Sequence, residues 1–222
     1  MILRTGIISR RQDLDPRSFA EHWKSVHGKL ACKMPRLRSY RQNHVVARLY
    51  EMRPSPIQAV DGFSQLRFDS IEDMEFSERS PEYAAVRDDI ANFQGGITIL
   101  VVEPQELHTA ARGPAAKLLC VSRARSDTAE CRSGWSTSAR AMIEGAPEVR
   151  KIVQNWVIDK DHPVSAGVPQ GAPDVDALTE LWFDDSETLA RAVNSSLGKR
   201  LFHSNPWLEP VAIYEVAELV MV

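Results

Sequence analysis

Two histidines near the start of the sequence are the residues best suited to acid-base chemistry. They are His22 and His27, in the segment FAEHWKSVHGKL at residues 19–30. A histidine side chain has an ordinary pKa of about 6.5, so it can accept and return a proton near neutral pH. We predict that His27 is the catalytic acid or base and that His22 assists it.

The spacing of these histidines argues against a shared metal ion. On a regular α-helix, side chains five residues apart are separated by about 140° around the helix axis. Metal ligands on one helix are usually three or four residues apart. The sequence contains no C-x-x-C or H-x-x-x-H pair, and we predict no metal site.

An internal duplication sets the organisation of the chain. Met34–Val46 (MPRLRSYRQNHVV) aligns without gaps with Ala146–Ile158 (APEVRKIVQNWVI), 112 positions later. Val60–Glu72 aligns with Val175–Glu187 at an offset of 115. A repeat period of about half the chain indicates two copies of one supersecondary unit.

Only the first copy carries the histidines. At the offset of 112, Gly134 stands where the first copy has His22, and Ala139 stands where it has His27. Because one half alone keeps these titratable groups, we predict a single functional site per chain.

Hydrophobic periodicity predicts the order strand, helix, strand, strand, helix, strand in each copy. In the first copy, Asp15 and Pro16 mark a helix start as N-cap and first helical residue, and Pro35 ends that helix. The order is typical of ferredoxin-like α+β units, whose helices cover one face of an antiparallel sheet. Burying the two bare sheet faces against each other predicts a barrel, with space for a small ligand between the sheets.

Length and composition fit two soluble domains. The chain has 222 residues, of which 43% are hydrophobic and 26% charged. We assign residues 1–105 to a first domain that holds the site, 106–116 to a linker and 117–222 to a second domain. A formal net charge of −3 gives no reason to expect nucleic-acid binding. No apolar run is long enough for a membrane span, and three cysteines without a pattern indicate reduced thiols in a cytoplasmic protein.

Residues of the predicted second strand, 37–47, could bind a substrate. Tyr40, Gln42 and His44 share one face of this strand, and Asn43 lies on the other. Only one face can line a cavity, and the sequence leaves open which one. Tyr40 and His44 have no counterpart in the second copy, which favours a one-sided site. Gln42 and Asn43 occur in both copies, so a structural role for them is equally open.

Four motifs of the first copy together resemble the EthD domain family. They are F-x-x-x-W-x-x-x-H-G at 19–28, P-x-L-R-x-Y-x-Q-N at 35–43, a D-G strand start at 61–62 and SPEYAAVRDDIANF at 80–93. That family belongs to the dimeric α+β-barrel superfamily, in which two ferredoxin-like chains pair their sheets. The resemblance implies two tandem ferredoxin-like domains that form an intrachain pseudo-dimeric barrel, the second being a degenerate copy.

The resemblance also implies roles for several residues. His27 matches the histidine of the W-x-x-x-H pattern, and Tyr83, Asp88 and Asp89 match the SPEY segment. Carboxylates in that segment could hold a histidine or accept a proton, the alternative being a solvated helix face. We take Tyr83 and Asp88 as candidates for substrate binding. Trp23 is a further candidate, although its presence in both copies favours a packing role.

The superfamily implies an enzyme of a catabolic or polyketide-type pathway, a lyase or isomerase that needs no cofactor. It includes muconolactone isomerases, cofactor-free quinol monooxygenases, polyketide cyclases and haem-handling enzymes. We predict acid-base proton transfer that isomerises, dehydrates or decarboxylates a small cyclic or aromatic-derived metabolite. A quinol-type or haem-linked monooxygenase and a non-catalytic ligand-binding accessory protein are the alternatives. Association of the tandem chain into a homodimer also stays open.

Overall fold

The structure is a computed structural model in which an eight-stranded antiparallel barrel carries helices on its outside. This confirms the predicted α+β fold of two ferredoxin-like halves joined as an intrachain pseudo-dimer. None of the helices in the described part of the chain is long and apolar enough to cross a membrane. The residues that the structure describes are 1–55, 57–110, 116–144, 146–160, 168–171 and 174–222.

The first half has the predicted order of elements. Asp15 is the N-cap of the first helix, and its carboxylate accepts hydrogen bonds from the backbone amides of Arg17 and Ser18. Ser80 caps a later helix in the same way, accepting from the amide of Tyr83. The elements are β1 (Ile2–Arg10), α1 (Pro16–His22), a π-helical turn (Trp23–His27), α2 (Gly28–Ala31), β2 (Ser39–Glu51), β3 (Gly62–Phe68), α3 (Ile71–Glu78), α4 (Pro81–Phe93) and β4 (Gln94–Thr109).

The second half repeats this order, with one uninterrupted helix where the first half has α1, the π turn and α2. The Asp185 carboxylate caps the second helical region by accepting from the amide of Thr188. The elements are β5 (Ala116–Ala124), α5 (Thr128–Glu144), β6 (Lys151–Asp159), β7 (Ala177–Phe183), α6 (Ser186–Asn194), α7 (Ser196–Gly198), a second π-helical turn (Lys199–His203) and β8 (Leu208–Val220).

The two halves are joined edge to edge by backbone pairing. The closed strand order is β1-β3-β2-β8-β5-β7-β6-β4, so β2 pairs with β8 and β4 pairs with β6 across the halves. Because β4 pairs with β6 as far as Thr109, the first residues of the predicted linker 106–116 are strand. Residues 111–115 lie outside the described residues, and the division of the chain at 106–116 stays a prediction.

Strand alternation sorts the buried side chains into two regions. One region is the barrel interior, which contains Phe63, Leu119 and Tyr214 among other apolar side chains. The other lies between the outer face of the barrel and the helices. There Trp23 and Trp135 are fully buried at equivalent positions of the two halves. A residue and its chain neighbour on a strand therefore belong to different regions.

Candidate active site

His22 and His27 lie on the same side of their helix, so the predicted separation of 140° is wrong. Residues Trp23–His27 form a π-helical turn, closed by the amide of Gly28 donating to the carbonyl of Trp23. Such a hydrogen bond spans five residues and brings side chains five apart nearly above one another. The 100° rotation per residue of an unbroken α-helix therefore does not hold between His22 and His27.

Both imidazoles contact one carboxylate, that of Asp89 on α4. His22 Nε2 lies 3.0 Å from Asp89 Oδ1, and His27 Nδ1 lies 3.0 Å from Asp89 Oδ2. Asn92 Nδ2 donates to Oδ1 at 3.0 Å. The Phe93 ring packs against both imidazoles, with ring centroids 5.1 Å from His22 and 4.7 Å from His27. Asp89 thus holds the two histidines against the helix that carries it.

The carboxylate in this cluster is Asp89, not its neighbour Asp88. Asp88 lies on the exposed face of α4. The buried face of α4 carries Val86, Ile90 and Phe93, and Asp89 belongs to the same face at helical spacing. Helical periodicity along SPEYAAVRDDIANF places Asp89, and not Asp88, on the same face as the apolar residues, so this pattern was the signal for the buried carboxylate.

The electrostatics leave His27 neutral and able to accept a proton. Burial lowers the pKa of His27, and the Asp89 carboxylate opposes this shift without cancelling it. Burial alone would raise the pKa of Asp89, but hydrogen bonds from His27, Asn92 and His22 hold it well below its usual range. Asp89 is therefore ionised and accepts the Nδ1–H of neutral His27. The Nε2 atom of His27 has no hydrogen-bond partner among the residues described.

A second group of predicted residues holds the π turn against the sheet. Trp23 Nε1 donates to the Tyr40 hydroxyl at 3.0 Å. Gln42 Nε2 donates to that hydroxyl at 3.0 Å and to the Trp23 carbonyl at 2.9 Å, the carbonyl that also closes the π turn. His44 Nε2 lies 3.1 Å from Gln42 Oε1, and its ring lies over Trp23 with centroids 4.3 Å apart.

These contacts decide which face of β2 adjoins the histidines. Tyr40, Gln42 and His44 face the helix layer, where each contacts Trp23, and the first two are as fully buried as Trp23 itself. Burial lowers the pKa of His44 to about 4, so its ring is neutral and fits beside an indole. Burial also raises the pKa of Tyr40. These contacts support a structural role for the group; substrate binding by its members stays a prediction.

Asn43 and Tyr83 lie in other networks. Asn43 faces the barrel interior, where its Nδ2 donates to Gln65 Oε1 at 3.0 Å. The Tyr83 hydroxyl lies beneath α4 and accepts from Arg4 Nη2 at 2.7 Å, while Arg4 Nε pairs with Glu78 at 2.6 Å. The sheet therefore separates Asn43 from His27, and substrate binding by Asn43 or Tyr83 stays a prediction.

Sequence reasoning missed a polar network inside the barrel. Lys117 Nζ lies 2.5 Å from Glu180 Oε2, and both side chains are nearly fully buried. Gln65 Nε2 donates to Glu180 Oε1 at 2.7 Å. A lysine within AKLLCVS and a glutamate within ALTELWF were the available signal, since charged residues in apolar strands are rarely buried without a partner.

His27 does not face the space between the sheets, where we expected the ligand. It lies on the helix side of the first half, and His22 borders a shallow surface depression lined also by Arg17, Glu21 and Val26. Among the described residues, no group of three or more His, Cys, Asp or Glu side chains could hold a metal ion. The arrangement is that of a carboxylate that orients an imidazole for proton transfer.

Comparison with known proteins agrees with this description of the fold. The EthD domain model matches residues 11–96, which contain His22, His27 and Asp89. The first half of the chain is therefore an EthD domain. No curated protein has a significant sequence match to the chain.

Solved structures with the same barrel cover nearly the whole chain. A candidate monooxygenase from Lactobacillus acidophilus NCFM is 9% identical, with 99% of this chain and 94% of that chain covered and a TM-score of 0.60. An anthrone oxidase-like protein is 8% identical, with coverage of 99% and 93% and a TM-score of 0.65. A mutant chlorite dismutase from Candidatus Nitrospira defluvii is 11% identical, with coverage of 97% and 91% and a TM-score of 0.53. At these identities the likeness shows the fold alone.

Proposed function

Since the first half is an EthD domain that holds a histidine-aspartate pair, we propose that the protein is an enzyme that abstracts a proton from its substrate. Its substrate is a small enolisable metabolite, cyclic or derived from an aromatic compound. His27 is the general base, and Asp89 is a positioning residue that acts through it. The observation that carries the proposal is the contact of His27 Nδ1 with Asp89, which leaves Nε2 without a partner among the described residues.

Each member of the cluster has a part in this chemistry. Ionised Asp89 fixes the tautomer of His27 with the proton on Nδ1, so the lone pair of Nε2 is available. When Nε2 takes a proton, the imidazolium forms beside the Asp89 carboxylate, which stabilises the new charge. His22 and Asn92 hold the carboxylate from the other side. The Gln42 bond to the Trp23 carbonyl keeps the π turn that aims both histidines.

Proton removal from the carbon next to a carbonyl produces an enolate, which has several fates. Return of the proton at another carbon isomerises the substrate, and loss of a leaving group completes an elimination. The second candidate is an oxygenase without a cofactor, in which the enolate reacts with molecular oxygen. The shared fold with an anthrone oxidase-like protein and a candidate monooxygenase supports it.

A haem-linked oxygenase fits this cluster poorly. A haem needs a flat open space beside the nitrogen that binds its iron. The His27 ring is only 7% exposed and packs against Phe93 at 4.7 Å. We therefore derive no step through a haem, and absorbance near the Soret band of protein supplied with haem tests this point.

The proposal is tested with anthrone and 2-tetralone as probes. In oxygen-free D2O, NMR follows deuterium entering the carbon next to the carbonyl. In air, an oxygen electrode and absorbance follow oxidation of anthrone, which with one O2 gives anthraquinone and one water. Exchange without oxygen uptake supports an isomerase or lyase, and stoichiometric oxygen uptake supports the oxygenase. Binding of both probes without exchange or uptake supports the accessory alternative and contradicts the proposal.

Substitution of the base should have a large effect. A positioned general base contributes roughly 10²–10⁴ in rate, so His27→Gln should lower turnover at least about 100-fold. The matched control is His203→Gln, because His203 is an exposed histidine of the second half. Wild-type turnover in folded His27→Gln would remove His27 from the mechanism.

Asp89→Asn separates positioning from simple packing. The Asp89 charge opposes the lowering of the His27 pKa, so its loss should move the acid limb of the rate profile to lower pH. Turnover should also fall, because the amide no longer selects the Nδ1–H tautomer. A purely structural Asp89 would change stability and leave the position of the acid limb unchanged.

A further inference from the structure

We propose that one mouth of the barrel binds a small molecule with a carboxylate group and a flat apolar body. A cavity of about 240 Å³ opens there, between the first residues of β1, β2 and β6 and the last residues of β3 and β7. Barrel mouths are common places for ligands, and this volume is below the range for drug-sized molecules. The cavity faces the barrel interior, so the sheet separates it from His27.

The floor of the cavity is polar but its charge is already balanced. Glu180 receives hydrogen bonds from Gln65 at 2.7 Å and Asn155 at 2.6 Å. It also pairs with Lys117, whose Nζ lies 2.5 Å away. Burial would raise the pKa of Glu180, but the Lys117 ammonium and these donors lower it instead. The Glu180 carboxylate is therefore neutralised and does not repel a second anion.

The wall from the first half provides a cation without a partner. Arg67 makes no side-chain hydrogen bond or ion pair with the residues described, and its Nε is buried and unsatisfied. An unsatisfied buried donor is costly, and a planar guanidinium matches the two oxygens of a carboxylate. Arg41 stands on the same face of the neighbouring strand, opposite Gln65, and its nearest carboxylate oxygen, on Glu218, is 3.7 Å away.

The wall from the second half is apolar at the equivalent positions. Arg67 lies opposite Ser39 in the pairing of β2 and β3, and Trp182 lies opposite Lys151 in the pairing of β6 and β7. Trp182 thus occupies the place in its half that Arg67 occupies in the other. Val153, which lies opposite Glu180, likewise occupies the place that Arg41, opposite Gln65, occupies in the first half. A ligand with one anionic end and one apolar end fits this difference between the walls.

The local charge favours a monoanion. Lys151 pairs with Glu106 at 3.0 Å, and Lys117 pairs with Glu180 and Glu218 at 2.5 Å each, so these ionic groups already have partners. One positive charge remains in excess on the side chains around the cavity, which are Arg41, Arg67, Lys117, Lys151, Glu106, Glu180 and Glu218.

Benzoate is the probe for this site, and benzamide is its neutral counterpart of the same shape. Calorimetry should show benzoate binding to the whole chain at least about tenfold more tightly than benzamide, because the carboxylate makes charge-assisted bonds. Arg67→Gln should weaken benzoate at least about tenfold and benzamide little. Arg38→Gln is the matched control, since Arg38 is an exposed arginine paired with Asp69.

A second measurement needs no substitution and holds if Arg67→Gln does not fold. In a titration of the wild-type chain with benzoate, the indole N–H signal of Trp182 should shift, while that of Trp23, on the helix side of the sheet, should not. Lack of benzoate binding at millimolar concentration would overturn the proposal. Equal binding of benzoate by Arg67→Gln and wild type, or a shift at Trp23 in place of Trp182, would also overturn it.

Discussion

The two halves of the chain share their packing and differ in their titratable groups. Trp23 and Trp135 are both fully buried under the helices. Yet Gln42 bonds the backbone of the helix in the first half, whereas Gln154 accepts from Trp135 Nε1 and Thr179 Oγ1 in the second. The helical region after β1 contains a π turn, whereas α5, its equivalent in the second half, does not. Gln42 and Gln154 are equivalent in the repeat but therefore make different contacts. The contact of Gln42 is with the carbonyl that closes the π turn, and that turn brings His22 and His27 together.

The barrel interior shows the same divergence at a second place. Asn43 and Asn155 are equivalent, and each bonds the equivalent residue of its own half, Gln65 in one and Glu180 in the other. Exchange of an amide for a carboxylate made a partner necessary, and Lys117 supplies it. The register of β1 and β5 places Lys117 where the first half has Leu3. Each half thus carries ionisable groups at positions where the other has neutral ones.

Lys117→Met should show the largest effect on stability. It leaves the Glu180 carboxylate buried without its counterion, so we expect a loss of about 3–5 kcal/mol in the free energy of unfolding. Leu3→Met, at the equivalent position of the first half, should cost less than about 1.5 kcal/mol. Urea denaturation measures both.

The double variant Lys117→Met/Glu180→Gln sharpens this test. Removing both charges should recover most of the loss, because the remaining amide resembles Gln65 of the first half. If the double variant is as unstable as Lys117→Met alone, the buried charge is not the cause of the loss.

An intermediate effect is expected on the pH dependence of stability. The folded pKa of His44 is about 4, below its ordinary value of about 6.5. Between these values the unfolded state binds a proton that the folded state does not, so stability falls as pH falls through this window. One such group contributes up to about 1.4 kcal/mol per pH unit. Burial lowers the pKa of His27 as well, and this shift acts in the same direction.

Replacement of His44 isolates its share. Urea midpoints between pH 7 and pH 4.5 should decline less steeply in His44→Gln than in wild type. His203→Gln, with an exposed histidine in the second half, should keep the wild-type slope. Equal slopes for wild type and His44→Gln would show that His44 titrates normally in the folded protein.

The smallest expected effect is the difference in unfolding free energy between substitutions of two equivalent tryptophans, Trp23 and Trp135. Trp23→Phe removes a hydrogen bond to Tyr40, which Gln42 still contacts, and Trp135→Phe removes one to Gln154, which Thr179 still contacts. The two losses in unfolding free energy should agree within about 1 kcal/mol.

Only Trp23→Phe should also lower turnover, because Trp23 belongs to the π turn that aims His27. Equal turnover in the two tryptophan variants would contradict the assignment of the site to the first half.

Local patterns in the sequence were enough for the fold and for half of the site. Asp15 before Pro16 marked the first helix, and the repeat around Asn43 and Asn155 indicated the pseudo-dimer. The histidines stood out by residue type alone. The carboxylate that joins them was harder to choose, because Asp88 and Asp89 are neighbours and only helix packing separates them.

The sequence by itself determined the duplication, the order of elements and the presence of acid-base groups in one copy. These follow from periodicities of two and 3.6 residues, which the backbone imposes locally. Tertiary structure alone decided that a π turn aims both imidazoles at Asp89 and that Arg67 and Trp182 flank one cavity. Those contacts join residues that are distant in the sequence. They depend on strand pairing and helix packing, which no short stretch of sequence encodes.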